Sequence, residues 1–391
     1  MGKVLIISYY APPVGMAGAM RMTKLTKYLP RFNWQPYILT TKPIAYYHYD
    51  YELLNDLKNI PIFRSENLDI ARILYLLKIP QFAVSMGTGK LSLLTNFLLF
   101  PDAKILWTPF AYRLGCKIIK DIKPDIIWTT ATPFSTLLVA RALKERFQIP
   151  LVLDFRDPWP TGFVIPPNPQ RKRLINLRNQ LVKSADLVIA VNKTTAEQIN
   201  FPQAQIIENG FDPDDFLQPK INLSGFNIVY TGSVWENLKE LQIVAEAVSN
   251  IKDVKIVLVG KCDADILNKI KKYGNVDYYG TRPHSETTAI MKGASLLLYL
   301  TKPNQIVGIK LYEYLGAGRP VLGVCNECNE AMRIIEHHSV GMTVSCNKDE
   351  IHDSVLMAMQ NKFPYSPKDL ERFNRVNQTR KLAELMNSLI R

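Results

Sequence analysis

The sequence predicts an α/β protein built from two doubly wound parallel sheets facing a cleft. Short β-branched apolar runs alternate with helical stretches along the whole chain, as consecutive βαβ units require. The alternation comes in two series, parted by the turn-rich stretch ENGFDPDDFLQPK at 208–220. A length of 391 residues is too great for one ordinary domain and suits two of about 150–200.

In the first series KVLIISYY, QPYILTT, DIIWTTA, PLVLDFRD and DLVIAVN read as strands. Each is a compact apolar run, the mark of a strand covered on both faces. Helices are expected over 18–30, 111–122, 134–147 and 171–184. The second series gives strands FNIVYTG, VKIVLVG, VDYYG, SLLLYL and RPVLGV, with helices around 238–250, 263–272, 285–293, 309–316 and 327–337. The closing LERFNRVNQTRKLAELMNSLIR reads as one amphipathic helix.

Five cysteines make no disulfide framework. Cys325 and Cys328 form a C-x-x-C without a second pair, which argues against zinc and favours a reducing cytosol. MGKVLIISYYAPP is interrupted by Pro12-Pro13 too early for a signal peptide and reads as a strand. The apolar region 70–100, with LSLLTNFLLF, is broken by polar residues below the roughly eighteen needed to span a bilayer. A cytoplasmic protein is expected. Net charge is +13, with a surplus of 9 over residues 1–215 and of 4 over 216–391. No helix-turn-helix, zinc finger or aromatic-rich RNA-binding signature accompanies it, so no nucleic-acid partner is expected. An anionic membrane leaflet suits the surplus better, at about 1 kcal/mol per Lys or Arg. The basic, apolar stretch 70–120 would dock there, unless it is buried core and the charge a plain solvated surface.

Ligands of open α/β sheets bind at the carboxyl ends of strands, and the motifs collect at predicted strand ends. In IVGIKLYEYLGAGRPVL, 306–322, Lys310 and Glu313 share one side of a short helix at i, i+3. Gly308 starts it, and Gly316, Gly318 and Pro320 stop it. Free N–H groups and a positive dipole end around 307–310 suit a phosphate, with a carboxylate one turn on for hydroxyls. APPVGMAGAMR places Gly15 and Gly18 before a helix, but the full G-x-G-x-x-G fingerprint of a dinucleotide site is absent. Gly232 and Ser233 end a strand, and Lys239 six residues later either reaches back as a point charge or is a solvated helix lysine. Main-chain groups around Thr281 and Arg282 are placed to read a nucleobase edge. Ser285 with Thr288 or Glu286 then starts a helix that His284 enters. Asp154, Arg156 and Asp157 close the buried strand PLVLDFRD, where charges need partners or a task. A structural Asp–Arg pair is the plain alternative.

YYAPPVGMAGAMRMTKLTKYLP, FPDAKILWTPFAYRLG, TPFSTLLVARALKERFQIPLVLDFRDPW, YTGS and GIKLYEYLGAGRPVL, in that order, resemble retaining glycosyltransferase family four, of the GT-B fold, in a branch that makes bacterial surface polysaccharides. The resemblance implies an acceptor domain over 1–215, a nucleotide-sugar domain over 216–368 and a closing helix, 369–391, that crosses back. It also implies that N–H groups of Val307, Gly308 and Ile309, with Lys310 and Leu311, hold a donor diphosphate. Glu313 would hold ribose hydroxyls, Lys239 would be the phosphate lysine and Gly15 the first-loop glycine. Gln305 stands where the first glutamate of the family's Glu-x7-Glu motif falls, and Ser233 where many members have arginine. Arg156, followed by Asp157, stands where several have a catalytic-site histidine, and Met16-Ala17 where Gly-Gly is usual. The implied reaction moves a hexosyl or N-acetylhexosaminyl group from a UDP- or GDP-type sugar to a lipid-linked or saccharide acceptor, with no metal and no cofactor. Lys310 would stabilise the departing diphosphate, Asp157 orient hydroxyls and Arg156 support the closed cleft. A GT-B epimerase or hydrolase, and a non-catalytic sugar-nucleotide-binding subunit, remain as alternatives, told apart by turnover of donor alone and by binding without transfer.

Overall fold

Parallel strands carry the chain through two sheets in a computed structural model. The structure describes residues 1–15, 17–44, 49–78, 99–159, 168–234, 237–303 and 305–390. The chain divides into two compact units, Met1–Asn209 with Val376–Arg391, and Gly210–Arg375.

The first unit holds β1 (Gly2–Ile7), β2 (Trp34–Thr41), β3 (Ile62–Ser65), β4 (Ile126–Ala131), β5 (Leu151–Phe155), β6 (Leu187–Ala190) and β7 (Gln205–Ile206), in the spatial order β3-β2-β1-β4-β5-β6-β7. All pairs are parallel; Val4 of β1, for example, sits opposite Pro36 of β2 and Ile126 of β4. Val4, Leu5, Ile6 and Ile7 are wholly buried, because helices cover both faces and leave no wet side for a polar alternate residue. One face packs Leu5, Ile7, Leu39, Leu137 and Leu153 together; the other packs Val4, Ile6, Trp34 and Ile38 with Leu382, Ala383 and Met386 of the helix Arg375–Asn387. That helix is fastened by Trp34 Nε1 donating to Asn387 Oδ1 at 3.1 Å.

The second unit holds β8 (Phe226–Thr231), β9 (Val254–Val259), β10 (Val276–Gly280), β11 (Leu296–Leu300), β12 (Val321–Val324) and β13 (Gly341–Val344), ordered β10-β9-β8-β11-β12-β13 and again parallel. Both sheets are Rossmann-like, the chain winding outward from β1 and from β8 in both directions.

Two stretches bear on the expectations. The stretch 208–220 is mostly packed: Phe211 and Phe216 press on the second core, and Pro213–Phe216 forms a turn whose Asp212 carboxylate accepts from Asp214 N at 3.0 Å. Within 70–120, the helix Thr108–Ile122 buries Ala111, Gly115, Ile118 and Ile119, so that part is core. Tyr75, Leu76 and Leu77 are exposed, and 79–98, which includes most of LSLLTNFLLF, lies outside the described residues. Among the described residues no helix is long and apolar enough to cross a membrane.

Candidate active site

The second sheet reverses direction at β8, which lies between β9 and β11. In such sheets the crevice for a ligand opens at the carboxyl ends of the strands flanking that switch. Gly232 follows β8, with its N–H donating to Val259 O at 2.8 Å, and Gly260 follows β9, donating to Gly280 O at 2.9 Å. These loops are therefore stitched into one rim.

After β11 the chain leads into the helix Ile309–Ala317. Gln305 Oε1 accepts from Lys302 N at 3.0 Å and Thr301 Oγ1 at 3.2 Å, while Asn329 Nδ2 donates to Lys302 O at 3.0 Å. The amide oxygen that stands in place of the family's first glutamate is thus engaged by its own loop. Gly308 caps the helix in an extended conformation with no side-chain cap, so no side chain competes for the first-turn N–H groups. Its own N–H donates to the Tyr299 hydroxyl at 3.3 Å, and burial pushes that phenol up to about 12. The helix runs through Gly316 to Ala317 and ends on Gly318 in the left-handed conformation.

Lys310 lies on the rim. Its Nζ is 4.1 Å from the centre of the Tyr230 ring, a cation–π contact. Gly232 has φ +106°, and a Cβ there would come within 2.9 Å of Lys310 Cε and Nζ. Tyr230 is itself held, its hydroxyl donating to Ser233 O at 3.1 Å and accepting from Asn237 Nδ2 at 3.3 Å. Tyr314, one turn on, accepts from Thr231 N at 3.0 Å and donates to Leu298 O at 3.3 Å, and burial raises its phenol strongly. The helix is thereby tied to the end of β8 and to the middle of β11. Glu313 is partly buried beside His284, with Oε1 3.8 Å from Nδ1, and His284 Nε2 is 3.1 Å from Asp215 Oδ2. A helix start with no side-chain cap, an ammonium held over a ring and a carboxylate one turn along are groups able to meet a molecule carrying both phosphate and hydroxyls.

In the first unit the cluster at the end of β5 does contain structural Asp–Arg pairs, the buried one made with a distant arginine. Asp154 ends β5 pointing into the interior, where Arg21 of the helix Ala17–Tyr28 meets it at 2.9 and 3.0 Å; both are 1% exposed. Arg156 lies past the strand end and turns elsewhere, donating to Ala131 O at 3.1 Å and Thr132 Oγ1 at 2.7 Å. Its Nε is 3.6 Å from Asp157 Oδ2. A Cβ on Gly18 would fall 2.4 Å from Arg156 Cζ, so the guanidinium covers the first turn of the glycine-loop helix. Nearby, Lys104 pairs with Asp69, which also accepts from Tyr9 Oη at 2.7 Å. Burial works against the Lys104 charge, but Tyr10, Asp69 and Asp102 outweigh it and hold its pKa above the usual lysine range. Burial also raises the Tyr10 phenol.

Residues 89–215 match the family model of glycosyltransferase family 4, and residues 225–361 match that of glycosyl transferases group 1, together about two thirds of the chain. The chain belongs to the family-four glycosyltransferases. No curated protein matches it. Solved structures show the GT-B fold. Anabaena Alr3699/HepE, in complex with UDP and glucose, is similar with a TM-score of 0.66 at 17% identity, over 99% of this chain and 100% of that one. Sucrose-phosphate synthase from Thermosynechococcus elongatus aligns with a TM-score of 0.61 at 13% identity, over 99% and 95%. S. aureus MnaA with UDP aligns with a TM-score of 0.57 at 12% identity, over 100% and 97%.

In this glycosyltransferase Gly232, Ser233, Val307, Gly308, Ile309, Lys310, Leu311 and Glu313 sit on the rim just described or in the helix behind it; Val307 and Leu311 are buried there. Lys239 is exposed at the second position of the helix Leu238–Ala247. Thr281 and Arg282 are exposed after β10, Arg282 donating to Tyr279 O at 2.7 Å. The following helix starts at His284, one residue earlier than expected, because Pro283 occupies the cap position and leaves Ser285 inside the first turn. Gly15 precedes the helix Ala17–Tyr28; Met16, Trp235, Glu236 and Asn304 lie outside the described residues. Arg21, Tyr230, Tyr299 and Asp215 were not anticipated. A tyrosine inside an apolar run reads as core, and only its position at a strand's last residues hints otherwise.

Proposed function

We propose that the enzyme moves a hexosyl or N-acetylhexosaminyl group, with retention, from a UDP- or GDP-type sugar to a lipid-linked or saccharide acceptor in bacterial surface-polysaccharide synthesis. The observation that carries this is Lys310 laid across Gly232 at the uncapped start of Ile309–Ala317, with Glu313 one turn on. The UDP and glucose bound by the Anabaena neighbour support it.

In this reading the bond from the anomeric carbon to the diphosphate oxygen breaks through an oxocarbenium-like state, the acceptor hydroxyl oxygen bonds to that carbon on the same face, and its proton leaves with the diphosphate. Charge grows on the leaving diphosphate, where the first-turn N–H groups, Lys310 and Lys239 meet it without metal or cofactor. Glu313 holds the ribose and the Thr281–Arg282 loop the base. Gly15, Arg156 and Asp157 serve the acceptor side, with Asp157 orienting hydroxyls. The enzyme works in the cytoplasm, docked on the anionic inner leaflet through the basic first unit, where Tyr75, Leu76 and Leu77 are exposed. Equal lack of binding to anionic and neutral liposomes defeats the docking.

A thermal-shift screen of UDP-, GDP-, ADP- and dTDP-sugars tests the donor, since a ligand at 100 times its Kd adds about 2.7 kcal/mol of stability. Lys310→Ala is expected to lower transfer by about 10²–10³-fold, as loss of one such donor does, with an unchanged circular dichroism spectrum. Full activity removes the site. Turnover of donor without acceptor would instead mark an epimerase or hydrolase, and binding without any transfer a non-catalytic subunit.

A further inference from the structure

Glu313 has an imidazole within ion-pair range, though beyond hydrogen-bond distance. His284 opens the helix His284–Gly293, and its ring lies between two carboxylates: Nε2 is 3.1 Å from Asp215 Oδ2 and Nδ1 is 3.8 Å from Glu313 Oε1. All three side chains are 16–17% exposed, withdrawn from solvent yet open on one side. Asp215 is not a loose partner. Its turn, Pro213–Phe216, is clamped to the same helix by Lys292 Nζ donating to Phe216 O at 2.6 Å and by Gln218 Nε2 donating to Thr288 Oγ1 at 2.7 Å.

A glutamate's terminal torsion is broad, so an unsupported carboxylate presents many faces. Two neighbouring ribose hydroxyls need one face, held still, with both oxygens able to accept. An imidazole fixed by a carboxylate on its far nitrogen is a common device for orienting a group on its near one. We propose that His284, aligned by Asp215, is a positioning residue that aims the Glu313 carboxylate at the ribose diol and so makes donor binding depend on those hydroxyls. This rests on the reading of Glu313 as the ribose contact.

The test is calorimetric binding of UDP and of 2′,3′-dideoxy-UDP, with the GDP pair run in parallel. Wild type should favour UDP by roughly tenfold or more, as hydrogen bonds to a charged group allow, and Glu313→Ala should erase that preference. His284→Ala should shrink the preference at least about threefold by weakening UDP binding alone, and His284→Gln, which keeps a donor, should restore part of it. Asp215→Asn should act like a milder His284→Ala. If His284→Ala and Asp215→Asn leave the preference at its wild-type value, or weaken both ligands equally, His284 is merely structural and the proposal is overturned while the function stands. If wild type does not distinguish the two ligands, or binds neither UDP nor GDP, the reading of Glu313 fails and the proposal falls with it.

Discussion

Replacing Arg21 by Met probes what holds the first unit together. The guanidinium gives Nε and Nη2 to Asp154 at 3.0 and 2.9 Å, and also donates to Ile207 O at 2.8 Å and Glu208 O at 2.9 Å. Methionine fills much of the stem's volume, but leaves Asp154 buried without a counter-charge and two carbonyls without donors. Removing one partner of a buried pair costs about 3–5 kcal/mol. The two carbonyls that lose a donor argue against the lower end of that range, so its middle, about 4 kcal/mol, is expected. For a unit of this size each kcal/mol moves Tm by about 2–4 °C, giving a fall of about 8–16 °C. Tryptophan fluorescence reports the right unit, because Trp34, Trp107, Trp128 and Trp159 are buried there and only Trp235 lies in the other. Arg21→Met with Asp154→Leu should melt above the single variant, since an apolar replacement of both ions leaves no buried charge. A single-variant shift below about 2 °C, half of what 1 kcal/mol brings at the upper slope, refutes the structural weight given to the pair. A double variant no better than the single refutes its electrostatic part.

Gly18→Ala places a Cβ 2.4 Å from Arg156 Cζ; the guanidinium must leave, at about 1–3 kcal/mol of stability, and transfer should fall with it. A Tm and activity equal to wild type would contradict this. His338 is buried, its Nδ1 set 3.0 Å from Lys368 O, and burial lowers its pKa in the folded chain. Below about 6.5 the unfolded chain takes up a proton there that the folded chain refuses. Stability from this group should therefore fall as pH drops from 7.5 to 5.5 in denaturant titrations, and His338→Asn should flatten that slope; an unchanged slope would discharge His338.

The sheets were legible because parallel strands must be apolar on both faces, and such runs stand out: LLLYL of β11 is wholly buried. The unanticipated strands lie at sheet edges. IFRS of β3 is mostly half-buried, β7 has two residues, and GMTV of β13 opens on glycine. An edge needs cover on fewer sides, so its composition carries less signal. The helix Lys348–Met359 was missed too, although Asn347 caps it through two N–H groups. In the site, Lys310 and Glu313 were readable because three residues fix their relation on a helix. Arg21 and Asp154, 133 residues apart, and Asp215 and His284, 69 apart, have no such rule. Their meeting depends on which strands lie side by side, and spacing in the chain does not encode that order.

The glycines bear on the same point. Spacing suggests that Gly18 lets backbone N–H groups approach a ligand, yet Gly18 and Gly232 are each covered by a cation of their own unit, Arg156 on one and Lys310 on the other. Gly18 lies in a helix, a conformation any residue adopts, so its need for glycine is the volume of the guanidinium alone. Gly232 adds a left-handed backbone to the same requirement. A long cationic side chain loses up to about 2 kcal/mol of rotamer freedom when fixed. Seating it on a bare backbone during folding means that this loss is already incurred before an anion arrives. Binding then has only to desolvate a charge that is in place, which is the condition under which fixed groups stabilise charge as it develops. In this chain the two glycines act chiefly through what rests on them.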